Sequence, residues 1–197
     1  MQIAIADRST DLAVYASIPI AFSVTSVIDL TRLRVGAPRQ ELHEIPLAQI
    51  STKDYDALPG NGPTAWPTRF DLRHWAFALA SHAGRRVGGA TVVVGAPDVD
   101  LCMGREDHAI LWDIRVAPGE RGQGIGAGLL AAAVTAARTR DARHLRVETQ
   151  QINVAACRFY QRMGFLLEAI NRDAYPDLPD EVQLLWGMDL TKNSKCQ

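Results

Sequence analysis

The chain has 197 residues, 47% of them hydrophobic, enough for one domain with a single apolar core. Its 21 basic and 22 acidic side chains leave a formal charge of −1, so no global field draws it to nucleic acid or an anionic membrane. Cys102, Cys157 and Cys196 are odd in number, lack C-x-x-C spacing and have no clustered histidine, which excludes a disulfide framework or zinc site and reads as reduced thiols.

The opening residues MQIAIADRSTDLAVYASIPIAFS lack a basic leader region and a cleavage site. No apolar run reaches the ~18 residues of a membrane span, so a cytoplasmic protein without membrane contact is expected. Residues 1–197 read as one domain, with variable strands over 1–70 and a motif-bearing core over about 71–190. Ile18–Ile28, rich in β-branched and aromatic residues, predicts a first strand with Pro19 near its start. Glu41–Leu47 is a candidate second strand. Ser51–Pro67, dense in Gly, Pro and Asp, predicts a loop long enough to suspect function.

His74–Ser81 and Val87–Val94 predict a hairpin whose tip is Ala83-Gly-Arg-Arg86. Ala109–Val116 is the next strand. Gly124–Arg140 predicts a helix, because Ile125, Leu129, Leu130, Ala133, Val134 and Ala137 recur at helical spacing on one face. His144–Thr149 follows as a strand, parallel to Ala109–Val116 if the crossover is ordinary. Asn153–Met163 predicts a second helix, and Phe165–Ala169 and Val182–Leu190 complete the sheet across the Pro- and Asp-rich 174–181. The fold class is α/β, a mixed sheet with helices on its faces.

The chemistry is concentrated in Val116-Ala-Pro-Gly-Glu-Arg-Gly-Gln-Gly-Ile-Gly-Ala-Gly-Leu-Leu130, which ends a strand, turns through glycines and opens a helix. Gly122, Gly124 and Gly126 permit positive φ and close approach of the backbone, so successive amides can converge on a phosphate. The helix start adds its own amides and dipole end. Arg121 places a guanidinium at the rim. The same turn satisfies the G-x-G-x-x-G/A pattern of dinucleotide folds, with Glu148 near the position of a ribose-binding acid. A dinucleotide enzyme also needs a second mononucleotide half, and only a short tail follows Phe165.

Arg121-x-x-Gly124-x-Gly126 and Asn153-x-x-Ala156-x-x-x-Tyr160-x-x-x-Gly164-Phe165, joined by a helix and a strand, together resemble the GNAT superfamily of acyl-CoA-dependent N-acyltransferases. Within it the chain is most similar to streptothricin acetyltransferases, through the front half around Glu41–Leu47 and the tail Ala174–Trp186. The resemblance implies acetyl-CoA as co-substrate, no metal, and a small amine as acceptor, with a homodimer as a candidate assembly. It implies that strands Ile110–Val116 and His144–Thr149 splay apart and that the pantetheine arm bonds the backbone of Ile114, Arg115 and Val116. An amide near Ile114 or Arg115 would be the oxyanion donor. The pyrophosphate would lie on Arg121, Gly122, Gln123, Gly124, Ile125, Gly126 and Ala127, with Asn153, Ala156 and Tyr160 lining the arm.

Two proton tasks remain in such a reaction. A lysine-like acceptor has a pKa of about 10.4, so a base must remove a proton before attack, and Asp113 and Glu148 are the carboxylates in central strands available for it. The resemblance assigns protonation of the leaving thiolate to Tyr160, which packing of helix on sheet would also explain. Asn153 equally suits an N-cap. Cys157 has no histidine partner in its motif and reads as a core residue, while Arg158 and Arg162 are phosphate candidates or a solvated face. A protein N-terminal or lysine acetyltransferase and a non-catalytic acyl-CoA sensor are the alternatives. Glu168, Asp173, Asp177, Asp180, Glu181 and Asp189 against Arg172 form an acidic stretch, which with Asp54 and Asp56 favours a small cationic acceptor such as streptothricin.

Overall fold

The computed structural model describes residues 1–6 and 11–192, so Cys196 lies outside the described residues. The described residues form two compact units, one drawn from 1–21, 54–145 and 189–192, the other from Phe22–Lys53 and Arg146–Met188.

In the first unit, β1 (Gln2–Ala6), β4 (Trp75–His82), β5 (Arg85–Val94) and β6 (His108–Val116) lie side by side in that order, each pair antiparallel. The β4–β5 tip is tight, with Ala83 and Gly84 both at positive φ, the geometry that lets a two-residue turn follow the strand twist. Helix α3 (Ile125–Arg138) packs on β4, β5 and β6, and Ile125, Leu129, Leu130, Ala133 and Ala137 of the face the sequence periodicity predicted are buried, whereas Val134, expected with them, is half-buried and Ala136 is buried instead. The register of β5 with β6 slips between Thr91 and Val92, so Trp112 is an extra residue in β6. Such a bulge bends its strand.

Beneath the opposite face is an aromatic core. Tyr15 on α1 (Leu12–Ala16), Trp66 at the start of α2 (Trp66–Arg69), Trp75 and Phe77 are buried together, with Trp66 and Trp75 ring centroids 5.3 Å apart. Neither β1 nor α1 was visible as an element in the sequence, and two expectations need correction here. The strand expected over Ile18–Ile28 begins only at Phe22, as β2 (Phe22–Ile28). Ser17 still has helical backbone and the Ile18 amide closes on the Tyr15 carbonyl, while Pro19 has no N–H for a ladder. The loop expected over Ser51–Pro67 is shorter, because β3 (Glu44–Lys53) runs on through Lys53 and the segment from Pro63 turns helical to bury Trp66.

In the second unit, β2 and β3 form an antiparallel pair. Strands β7 (His144–Gln150), β9 (Gln183–Asp189) and β8 (Leu166–Asn171) are ordered β7-β9-β8, with β8 antiparallel to β9. Helix α4 (Val154–Arg162) packs against β2 and β8. Among the described residues no helix is long and apolar enough to cross a membrane, and no group of three His, Cys, Asp or Glu side chains is placed to hold a metal.

Candidate active site

The glycine turn forms as a 3-10 turn over Pro118–Glu120 followed by Gly122 at φ 79° and Gly124 at φ 81°, the latter capping α3. An L side chain is strained at both, although a Cβ there would meet nothing within 4 Å among the described residues. Glycine therefore serves the backbone path and leaves open space above it. The opening amides of α3, at Ile125, Gly126 and Ala127, have no carbonyl one turn back within the helix to bond, so this cradle suits an anion. Gly126 corrects one expectation, since it sits inside α3 with helical backbone and does not use positive φ. Arg121 is also committed differently from a free rim cation. Its Nε donates to the Val116 carbonyl (2.9 Å) and its Nη2 to that of Ala21 (3.1 Å), tying the turn to the end of β6. Gln123 lies exposed beside Glu120.

On β6, Ile114 and Val116 sit opposite Ala90 and Gly88 of β5. Arg115, expected to offer only its amide, has a wholly buried side chain. Its Nε and Nη2 clasp Asp113 (2.9 and 2.7 Å), its Nη1 reaches Asp56 (2.7 Å) and the Ile18 carbonyl (3.2 Å), and its guanidinium carbon lies 5.0 Å from the centre of the Tyr15 ring. Tyr15 donates to Asp113 Oδ1 (2.6 Å) and accepts from Thr91 (3.1 Å). Burial, then the Asp113 charge, holds the Tyr15 phenol well above its ordinary pKa. For Arg115, burial works to lower the pKa but is overcome by the hydrogen bond and charge of Asp113, and the guanidinium stays charged. The Asp113 oxygens are thus occupied by one bidentate cation and one phenol. Asp56, expected to face the acceptor, turns to Arg115 instead.

In the second unit Glu148 is held by neutral donors, Tyr175 on Oε1 (2.6 Å) and Gln183 on Oε2 (2.6 Å). Burial raises its carboxyl above the ordinary value, against the lowering effect of those two bonds. That combination places a carboxylate closer to the working range of a base than an exposed acid. Asn153 caps α4, its Oδ1 accepting from the Ala156 amide (3.2 Å). Tyr160 is buried on α4 and meets the Phe159 and Phe165 rings edge-on, at centroid distances of 5.4 and 5.5 Å. Arg158 pairs with Glu44 rather than standing as a free phosphate ligand. Cys157 is buried, its thiol pushed up to about 12 by that burial, which suits a core residue.

The acidic stretch is partly neutralised where it stands. Glu168 pairs with Arg146 (2.9 Å), Glu181 with Lys53, and Asp189 with Lys192 (3.4 Å). Tyr15, Thr91, Tyr175 and Gln183 were missed as partners of the two candidate carboxylates. Asp113-Ile-Arg115 did carry a signal, since residues two apart on a strand share a face. Gly88-Gly89 inside a strand was another, marking close approach. A Cβ on Gly89 would lie 2.4 Å from the Tyr15 ring. Tyr175 had no local signal.

Comparison with known proteins gives the family of this fold. The chain belongs to the acetyltransferase (GNAT) family, whose model matches residues 41–165. Streptothricin acetyltransferase A of Bacillus subtilis (strain 168) is 33% identical over 94 residues, covering 43% of this chain and 54% of that protein. The chain thus spans about half the length of that relative. Nourseothricin acetyltransferase has a solved structure that superposes with a TM-score of 0.70 at 25% identity, over 96% of this chain and 98% of that one. A structure from Bacillus anthracis str. Ames in complex with acetyl coenzyme A superposes with a TM-score of 0.71 at 22% identity, over 95% and 99% of the two chains, and shares the fold.

Proposed function

We propose that the protein transfers the acetyl group of acetyl-CoA to a primary amine of a small cationic acceptor, with streptothricin the leading candidate and antibiotic resistance the resulting role. The observation that carries this reading is the pair of positive-φ glycines opening α3 over unfilled space, in a chain of the GNAT family that resembles a streptothricin acetyltransferase. Cys102 and Cys157, both buried and neither in a disulfide, fit a reducing, cytoplasmic setting.

In this reading the turn at 121–127 takes the phosphates and the β6 backbone near Ile114–Val116 takes the pantetheine arm. Glu148 accepts a proton from the acceptor ammonium. The amine nitrogen then attacks the thioester carbonyl carbon, the new C–N bond forms as the C–S bond breaks, Tyr160 donates its proton to the departing sulfur, and the second proton shed by the product nitrogen restores the Tyr160 phenol by way of solvent, while Glu148 releases its own to solvent. Asp113 is the weaker base candidate because Arg115 and Tyr15 already occupy it, and its role is to hold β6 rigid. Mass analysis of products from acetyl-CoA with streptothricin, simple diamines and lysine- or alanine-terminated peptides tests the assignment. A 1:1 acetyl adduct on the cationic small molecules, with equal release of free CoA, is the expected result. Efficient acetylation of peptides alone would replace the acceptor class, and tight acetyl-CoA binding with no release for any amine would mean a sensor.

A further inference from the structure

We propose that Tyr175 and Gln183 are positioning residues for Glu148, so that the 172–182 segment together with β9, and not β7 alone, fixes how this carboxylate meets the acceptor amine. The proposal rests on the reading of Glu148 as the base.

Alternation along β7 buries Leu145, Val147 and Thr149 on one face and puts Arg146, Glu148 and Gln150 on the other. Arg146 bonds Glu168 there. The Glu148 carboxylate is oriented by a hydrogen-bonded chain that enters from both sides. Gln150 Nε2 donates to the Tyr175 oxygen (2.9 Å), which leaves the phenol proton aimed at Glu148 Oε1. Asn171 Nδ2 donates to Gln183 Oε1 (2.5 Å), which turns the Gln183 amide so that its NH2 group meets Glu148 Oε2. Each donor to the carboxylate is therefore itself oriented by another amide, and neither oxygen has rotational latitude.

The segment carrying Tyr175 is built to hold it there. Two consecutive turns order it, the Leu178 amide bonding the Tyr175 carbonyl (3.0 Å) and the Glu181 amide the Leu178 carbonyl (2.9 Å). Buried Gln151 clamps its end, donating to the Asp180 carbonyl (2.7 Å) and accepting from the Val182 amide (2.6 Å). Glu181 is pinned to Lys53 of β3. A carboxylate placed for structure alone would be cheaper as an amide or an apolar side chain, because burying it without a cation in clasp opposes ionisation. Asp113, clasped by Arg115, is the contrasting arrangement within the same chain.

The test is a double-mutant cycle on the intact protein, with Tyr175→Phe, Gln183→Met and Glu148→Gln alone and in pairs. It reads kcat and KM for whichever amine serves best, and acetyl-CoA affinity by calorimetry. Tyr175→Phe and Gln183→Met should each lower kcat by roughly 10- to 100-fold, the size of one lost charge-assisted bond, with acetyl-CoA affinity unchanged. In the Glu148→Gln background neither should lower it further. Additive losses, or silent single variants beside an impaired Glu148→Gln, overturn the positioning role and leave the base intact. An unimpaired Glu148→Gln removes both. Crystal structures of the parent and Tyr175→Phe add a readout free of any acceptor: a carboxylate that keeps its orientation without the phenol overturns the proposal, and a rotated one supports it. If Tyr175→Phe fails to fold, Gln183→Met carries the same cycle from the other side.

Discussion

At the scale of single residues, Asp113 and Glu148 are chemically alike and differently placed. Asp113 faces a buried guanidinium; Glu148 faces a phenol and an amide. The raised carboxyl of Glu148 has a consequence for stability. The folded protein keeps that proton to higher pH than the unfolded chain does, so this group's contribution is fully present below about pH 4.3, the unfolded value, and is lost as pH rises through the folded value. Glu148→Gln cannot lose it. The Tm of Glu148→Gln minus that of the parent should therefore grow as pH rises from about 4.3 towards neutrality and then level off, in scanning calorimetry across that range. A flat difference would mean that burial does not raise this carboxyl. Tyr160→Phe keeps the edge-on ring contacts with Phe159 and Phe165 and removes only the hydroxyl. Its acetyl-CoA affinity should hold while kcat falls by about 10²–10⁴, the range of a lost general acid. A rate near that of the parent would leave Tyr160 as a packing residue.

At the scale of elements, the junction of β6 with α3 carries most of the binding argument. Arg121 closes it by bonding the carbonyls of Val116 and Ala21, and Gly124 caps the helix from the left-handed region. Gly124→Val has room for its side chain but not the backbone conformation, so the start of α3 must shift and its amides with it. Arg121→Ala frees the turn from two carbonyls. Both should weaken acetyl-CoA binding in calorimetry, by roughly tenfold or more for a lost charge-assisted bond, and unchanged affinity in both would remove the turn from the site. The β5 strand has a comparable dependence. Gly89→Val drives a side chain into Tyr15 and so into the Asp113–Arg115 clasp, and should lower Tm by several degrees. A Tm equal to the parent's would show that the Tyr15 ring is free to move aside.

At the scale of the whole molecule, a net charge of −1 means that any attraction of a cationic acceptor arises locally. The acidic stretch contributes less than its composition suggests, because Glu168, Glu181 and Asp189 are paired with Arg146, Lys53 and Lys192. The exposed acids left in it are Asp173, Asp177 and Asp180, beside exposed Arg172. For a multiply charged acceptor, kcat/KM should fall as salt is raised to about 0.15 M, where the Debye length is about 8 Å, but by less than the tenfold at which strong steering begins. Independence from salt would remove the acidic segment from acceptor capture.

The features legible in the sequence are those whose causes lie within one short stretch. The glycine turn and α3 follow from glycine spacing and a 3.6-residue apolar period, and the second motif follows from Asn153 to Phe165, where the N-cap and the buried face of α4 are local facts. The GNAT family was readable for the same reason. The environments of the candidate carboxylates were not, because their partners come from distant parts of the chain. Arg115 is buried by Tyr15, Asp56 and Asp113, and Glu148 is oriented by Gln150, Asn171, Tyr175 and Gln183. Composition could count the acids between Glu168 and Asp189, but only the tertiary structure decided which of them meet a cation, since charge pairing depends on distances that sequence spacing does not determine across strands and loops.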